Sequence, residues 1–152
     1  MTKSFSEQVR DMVDDSKKAL IGVARAAIQD TINEAQKVGP SVANPSAGRG
    51  GRMPVDTGFL RASGTGSLSG WPTGVSNKPS KIPRESLTYT YIADDVKNLL
   101  SQLDLGDTFY FGWTAEYAVA INVRYGFLDA ALQNWPMYVD KRAKEAAKRM
   151  KK

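Results

Sequence analysis

The sequence predicts an α+β fold: a long N-terminal helix, then a small antiparallel sheet covered by short helices and a C-terminal helix. Three observations carry this. From Ser4 to Val38 there is no proline, and apolar residues recur at helical spacings. Two runs, Leu87-Thr88-Tyr89-Thr90-Tyr91-Ile92 and Thr108-Phe109-Tyr110-Phe111-Gly112-Trp113, have the β-branched and aromatic content of strands. The remaining apolar residues fall in short amphipathic stretches separated by turn signals. A chain of 152 residues suits one domain with a modest core. Within it, 1–38 reads as the helix, 39–54 as a flexible arm, 55–139 as the α+β core and 140–152 as a basic tail.

Ser4 and Glu7 have capping-box spacing, so the first helix starts there. Phe5, Val9, Met12, Ser16, Leu20, Val23 and Ala27 form one stripe, and Val13, Ala24, Ile28, Ile32 and Ala35 a neighbouring one. Gly22 is the one weak position in an otherwise strong helix, which Gly39-Pro40 should stop. Such a helix is about 50 Å long at 1.5 Å per residue. That exceeds the width of so small a domain, so part of the stripe is expected to meet another chain; the alternative is a helix broken near Gly22.

Residues 39–54 are rich in Gly, Pro, Ser and Arg. Arg49 and Arg52 among glycines suit phosphate, but the spacing is not that of a P-loop. An arm that orders on assembly is the favoured reading. In Pro54-Val55-Asp56-Thr57-Gly58-Phe59-Leu60-Arg61-Ala62-Ser63, Asp56 is a candidate N-cap for a short helix, with Thr57 and Gly58 in its first turn. Asp56-Thr57-Gly58 also has the letters of an aspartic protease half-site, but the apolar strand such a site needs before its aspartate is absent. After the strand at 87–92, Asp94 or Asp95 caps a helix carrying Val96, Leu99, Leu100 and Leu103. The second strand follows, then a helix from Thr114 to Tyr125 with Tyr117, Ala118 and Ile121 inward. Gly126 closes it, and a last helix runs from Phe127 past Pro136.

The charge is local. Lys141, Arg142, Lys144, Lys148, Arg149, Lys151 and Lys152 face only Asp140 and Glu145; removing these from the 21 basic and 16 acidic residues of the chain leaves 14 of each. The tail is therefore the feature suited to phosphate, with a solvated helix end as the plainer reading. Histidine and cysteine are absent, which removes the commonest general base, the commonest metal ligand and any thiol chemistry. Asp104 and Asp107 read as turn residues rather than a calcium loop, and the strand aromatics as core rather than a base-stacking platform. No apolar run is long enough to span a membrane, and the N-terminus lacks the apolar core of a signal peptide. A cytoplasmic, non-enzymatic protein without cofactor or metal is the expectation.

The segment 54–63 resembles the motif that opens the core of a family of phage neck and tail-completion proteins from long-tailed, lambda-like and HK-type phages. Phe111-Gly112-Trp113, Tyr117-Ala118, Tyr125-Gly126 and Phe127-Leu128-Asp129-Ala130-Ala131 follow in that family's order, so the resemblance covers roughly 54–135. Arg124 stands where an acidic residue is expected, which removes any salt bridge the family makes there. The resemblance implies a non-enzymatic virion protein, made in the host cytoplasm. It would form a homo-oligomeric ring, hexameric or dodecameric, between the head connector or stopper and the tail tube or terminator, with packaged DNA in its channel. It marks Asp56, Thr57, Gly58, Leu60, Arg61, Ser63, Tyr117 and Gly126 as the structural motif. On this reading Val9, Met12, Leu20 and Val23 pack neighbouring subunits, the 39–54 arm docks on an adjacent ring, and the basic tail contacts DNA. The alternative is a small basic nucleic-acid-binding module.

Overall fold

The computed structural model describes residues 2–41, 51–55, 57–73 and 89–152. It is a mixed helix-and-strand fold: a long N-terminal helix, two small two-stranded sheets and several further helices. Asp56, Arg49, most of the 39–54 arm and the first two residues of the expected 87–92 strand lie outside the described residues.

Helix α1 (Phe5–Ala35) starts as its sequence predicts. Ser4 Oγ accepts from the Glu7 amide at 3.3 Å, and the Glu7 carboxylate accepts from the Ser4 amide at 2.7 Å. The helix runs unbroken through Gly22, about 46 Å for its 31 residues. It ends earlier than Gly39-Pro40: Gln36 is the C-cap, and the chain turns at once into β1 (Val38–Ser41). That strand pairs in parallel with β2 (Met53–Val55), so the arm expected as loop from 39 to 54 begins and ends in strand. Met53, fully buried, anchors its far end.

The antiparallel sheet has a partner the sequence did not suggest. The aromatic strand β4 (Tyr110–Trp113) pairs with β3 (Gly64–Ser67), whose sequence is Gly-Thr-Gly-Ser. Gly64 lies opposite Trp113 and Gly66 opposite Phe111, so both glycines share the face carrying these rings. A Cβ on Gly66 would sit 2.8 Å from the Phe109 ring, and one on Gly64 would sit 3.1 Å from Phe111 and 2.3 Å from the Gln36 amide. A strand without side chains on one face is what lets those rings pack close against its backbone. Tyr89–Ile92, expected as strand, joins neither sheet. Its aromatics serve packing instead: Tyr89 meets Phe59 edge-on at 5.1 Å, and Tyr91 lies under Arg61.

The helices after the sheet differ in detail. In α3 (Ala93–Ser101) the N-cap is Ile92, and Asp94 and Asp95 fall in the first turn, where they suit the dipole without capping. Helix α4 spans Ala118–Tyr125, and the expected last helix divides at Asn134 into α5 (Phe127–Gln133) and α6 (Trp135–Met150), with Pro136 in the first turn of α6. Two apolar clusters hold the fold. One joins Met53, Phe59, Leu60, Ala115, Ala118 and Phe127, with Trp113 packed edge-on against Phe127 at 5.0 Å. The other joins Ile32 of α1 to Val96, Leu100 and Leu103, with Phe109 and Phe111 against them. No helix among the described residues is long and apolar enough to cross a membrane.

Candidate assembly surface

The motif at 54–63 forms a joint between the end of α1 and the sheet. Its helix, α2 (Phe59–Ala62), is preceded by Gly58 at φ 82°, and Gly58 rather than Asp56 is the N-cap; Thr57 and Gly58 lie before the helix instead of in its first turn. The left-handed turn brings the backbone so close to Tyr89 that a Cβ would stand 2.6 Å from its carbonyl oxygen. Thr57 Oγ1 accepts from the Phe59 amide at 3.4 Å, Leu60 is buried, and the Ser63 hydroxyl donates to the Leu60 carbonyl at 2.7 Å.

Arg61 ties the motif to the end of α1. Its Nε donates at 2.9 Å to the carbonyl of Gln36, the C-cap of α1, and its guanidinium lies 5.4 Å from the centre of the Tyr91 ring. A cation therefore sits on the negative end of the longest helix. Gln36, itself buried, answers by donating from Nε2 to the Arg61 carbonyl at 3.2 Å. Arg25 ties α1 to the turn after α3, donating to the Leu103 carbonyl from Nε at 3.0 Å and from a terminal nitrogen at 2.5 Å. Tyr117 stands at the rim of the first cluster, its ring 6.2 Å from Phe59, and Gly126 turns at φ 64° between α4 and α5. Arg124 lies over the Tyr125 ring at 5.6 Å. The motif residues that are described thus hold the fold together; Gln36 is the member sequence reading missed, because nothing local marks a glutamine after a helix as buried.

Helix α6 covers one face of α1. Tyr138 lies beside Glu34 and Arg142 beside Asp30, so the two run antiparallel, and the same step brings Met150 level with Gly22. Arg142 is the clamp: Nε and a terminal nitrogen each reach Asp30 at 2.7 Å, and the other terminal nitrogen reaches Glu145 at 3.0 Å. These bonds hold its guanidinium charged far above its ordinary range. Beyond the end of α6, α1 continues for about 17 residues, roughly 25 Å. On that projecting half Phe5 is 83% exposed, Val9 41%, Met12 66%, Val13 45% and Leu20 61%. Val9, Met12 and Leu20 thus lie on the bare continuation of the face that α6 covers, with half-buried Val23 at the boundary. Phe5 belongs with them on the same helical stripe, and exposed Val13 lies on the neighbouring stripe beside it.

The basic tail is the last two-thirds of α6 and the two residues after it. Arg142 faces α1, Lys144 pairs with Asp140 at 2.7 Å, and Lys141, Lys148, Arg149, Lys151 and Lys152 are exposed. Between β3 and Tyr89–Ile92 lies an open cleft of about 830 Å³ whose described lining carries hydroxyls, aromatic rings and the carboxylate of Asp95. Asp104 and Asp107 accept backbone N–H groups in their own turn. No group of three or more carboxylates that could hold a metal occurs among the described residues. No protein family, no curated protein and no solved structure matches the chain.

Proposed function

We propose that this chain is a structural subunit of a phage neck, one copy in a ring that joins the head connector to the tail tube, with no catalytic role. The observation that carries the reading is the projecting half of α1, with Phe5, Val9, Met12 and Leu20 in solvent on the face that α6 covers further along and Val13 exposed beside them. The motif resemblance supplies the kind of assembly. Burying a Val, Leu, Met or Phe side chain from full exposure is worth about 1.5–3 kcal/mol. Five side chains already partly covered amount to on the order of 5–8 kcal/mol, against an association cost of about 4–15 kcal/mol. One such contact makes a weak pair. Closing a ring, in which every subunit gives and receives one, turns weak pairs into a stable particle.

Light scattering across a concentration series tests this. The expected result is a discrete multiple of 16.6 kDa whose electron micrographs show closed rings. Met12→Glu and Leu20→Glu, at sites exposed enough to leave the fold intact, should return the protein to monomer. A wild-type protein that stays monomeric at every concentration, or variants that assemble normally, would overturn the reading.

A further inference from the structure

The structure sorts six of the seven basic residues of the tail by direction, all but Arg149. At 3.6 residues per turn, Tyr138, Val139, Arg142, Glu145 and Ala146 form the side of α6 turned to α1, and all are half-buried. Lys141, Lys144, Lys148 and Lys151, at steps of three and four, form the opposite side, with Lys152 beside its end; all are exposed. Asp140 is the acid on that side, since Glu145 is turned to Arg142. The helix dipole accounts for Lys148 and Arg149 in the last turn and the Asp140 carboxylate for Lys144, but neither accounts for Lys141.

From this we infer that the outward face of α6 binds the backbone of duplex nucleic acid without reading sequence. Its lysines step about 4.5–6 Å at a time along some 15 Å of helix axis, and a duplex offers one phosphate charge per about 1.7 Å of its axis. Each lysine in the row can therefore meet a phosphate. Lysine, a point charge on a flexible stem, suits contact with phosphates in any register. The face carries no aromatic ring on which an unpaired base would stack. A bilayer fits less well, because the apolar side of α6 is taken up by α1 and leaves no face to insert. The face is present on a single subunit, so the inference does not depend on ring formation.

Fluorescence anisotropy of a labelled duplex, at protein concentrations where scattering gives the monomer, is the test. If five lysines each displace a counterion, log K falls against log salt with a slope of about −4.5, on the order of 500-fold between about 50 and 200 mM. Lys141→Ala/Lys148→Ala/Lys151→Ala removes three of the five and should lower the slope to about −1.8, or roughly 12-fold over the same range. These side chains are exposed, so circular dichroism should be unchanged. Lys17→Ala/Lys18→Ala, on the projecting half of α1, should leave the slope as it was. No duplex binding at the lowest salt, an unchanged slope in the triple variant, or binding to phosphatidylserine vesicles in place of duplex would each overturn the inference.

Discussion

Arg142 and Asp30 offer a sharp test of how this fold is held. They stand 112 positions apart and make a polar contact between α1 and α6. The pair is bidentate, with both distances at 2.7 Å and side chains 29% and 17% exposed. Fully exposed pairs couple by about 0.2–1 kcal/mol, and removing one partner of a buried pair costs about 3–5 kcal/mol. A half-buried bidentate pair belongs between these limits, so a double-mutant cycle on Asp30→Ala and Arg142→Ala should give a coupling of about 1–2 kcal/mol. For a chain of this size each kcal/mol moves the melting midpoint by about 2–4 °C. The assay is urea unfolding followed by circular dichroism, with all four proteins in one buffer. Arg142→Lys should recover less than half of the coupling, because an ammonium keeps the charge but cannot form the two parallel bonds. A coupling below about 0.3 kcal/mol, the level of an exposed pair, would refute the argument that this arginine ties α6 to α1. The same arginine should matter little for duplex binding, which separates it from its lysine neighbours.

Two further predictions concern backbone crowding and pH. Gly66→Ala should destabilise by about 1–3 kcal/mol, since its Cβ would press on the Phe109 ring at 2.8 Å and on Leu99 at 3.0 Å; Gly22→Ala, with nothing within 4 Å, should stabilise α1 by about 0.5–1 kcal/mol. Urea midpoints that move alike in the two variants would contradict this. Burial pushes the Tyr91 and Tyr138 hydroxyls above the ordinary 10.0, and Glu34 adds to the shift at Tyr138. The folded chain then holds these protons more tightly than the unfolded one. Their contribution is complete below pH 10.0 and is lost as pH rises through the shifted values. Stability should fall between neutral and strongly alkaline pH, and less steeply in Tyr91→Phe/Tyr138→Phe; an equal fall in that variant would refute the assignment.

What sequence alone determined here is local. The capping box at Ser4 and Glu7, the unbroken helical period to Ala35 and the aromatic strand ending at Trp113 each rest on residues within a turn or two of one another. The excess length of α1 and the clustering of charge after Asp140 were equally legible, because both follow from counting along the chain. Tertiary structure decided the pairings. Gly-Thr-Gly-Ser carries no strand propensity, and it becomes a strand because its bare face receives the rings of Phe109, Phe111 and Trp113. Tyr89–Ile92 has the composition of a strand, yet its rings are drawn into contacts with Phe59 and Arg61. Gln36 and Arg61 find each other across 25 positions, and Arg142 finds Asp30 across far more. Such contacts depend on which faces meet once helices pack. The same packing separated the functional candidates: α6 covered one half of the α1 stripe and left the other bare, and it turned Arg142 inward while leaving the lysines in solvent.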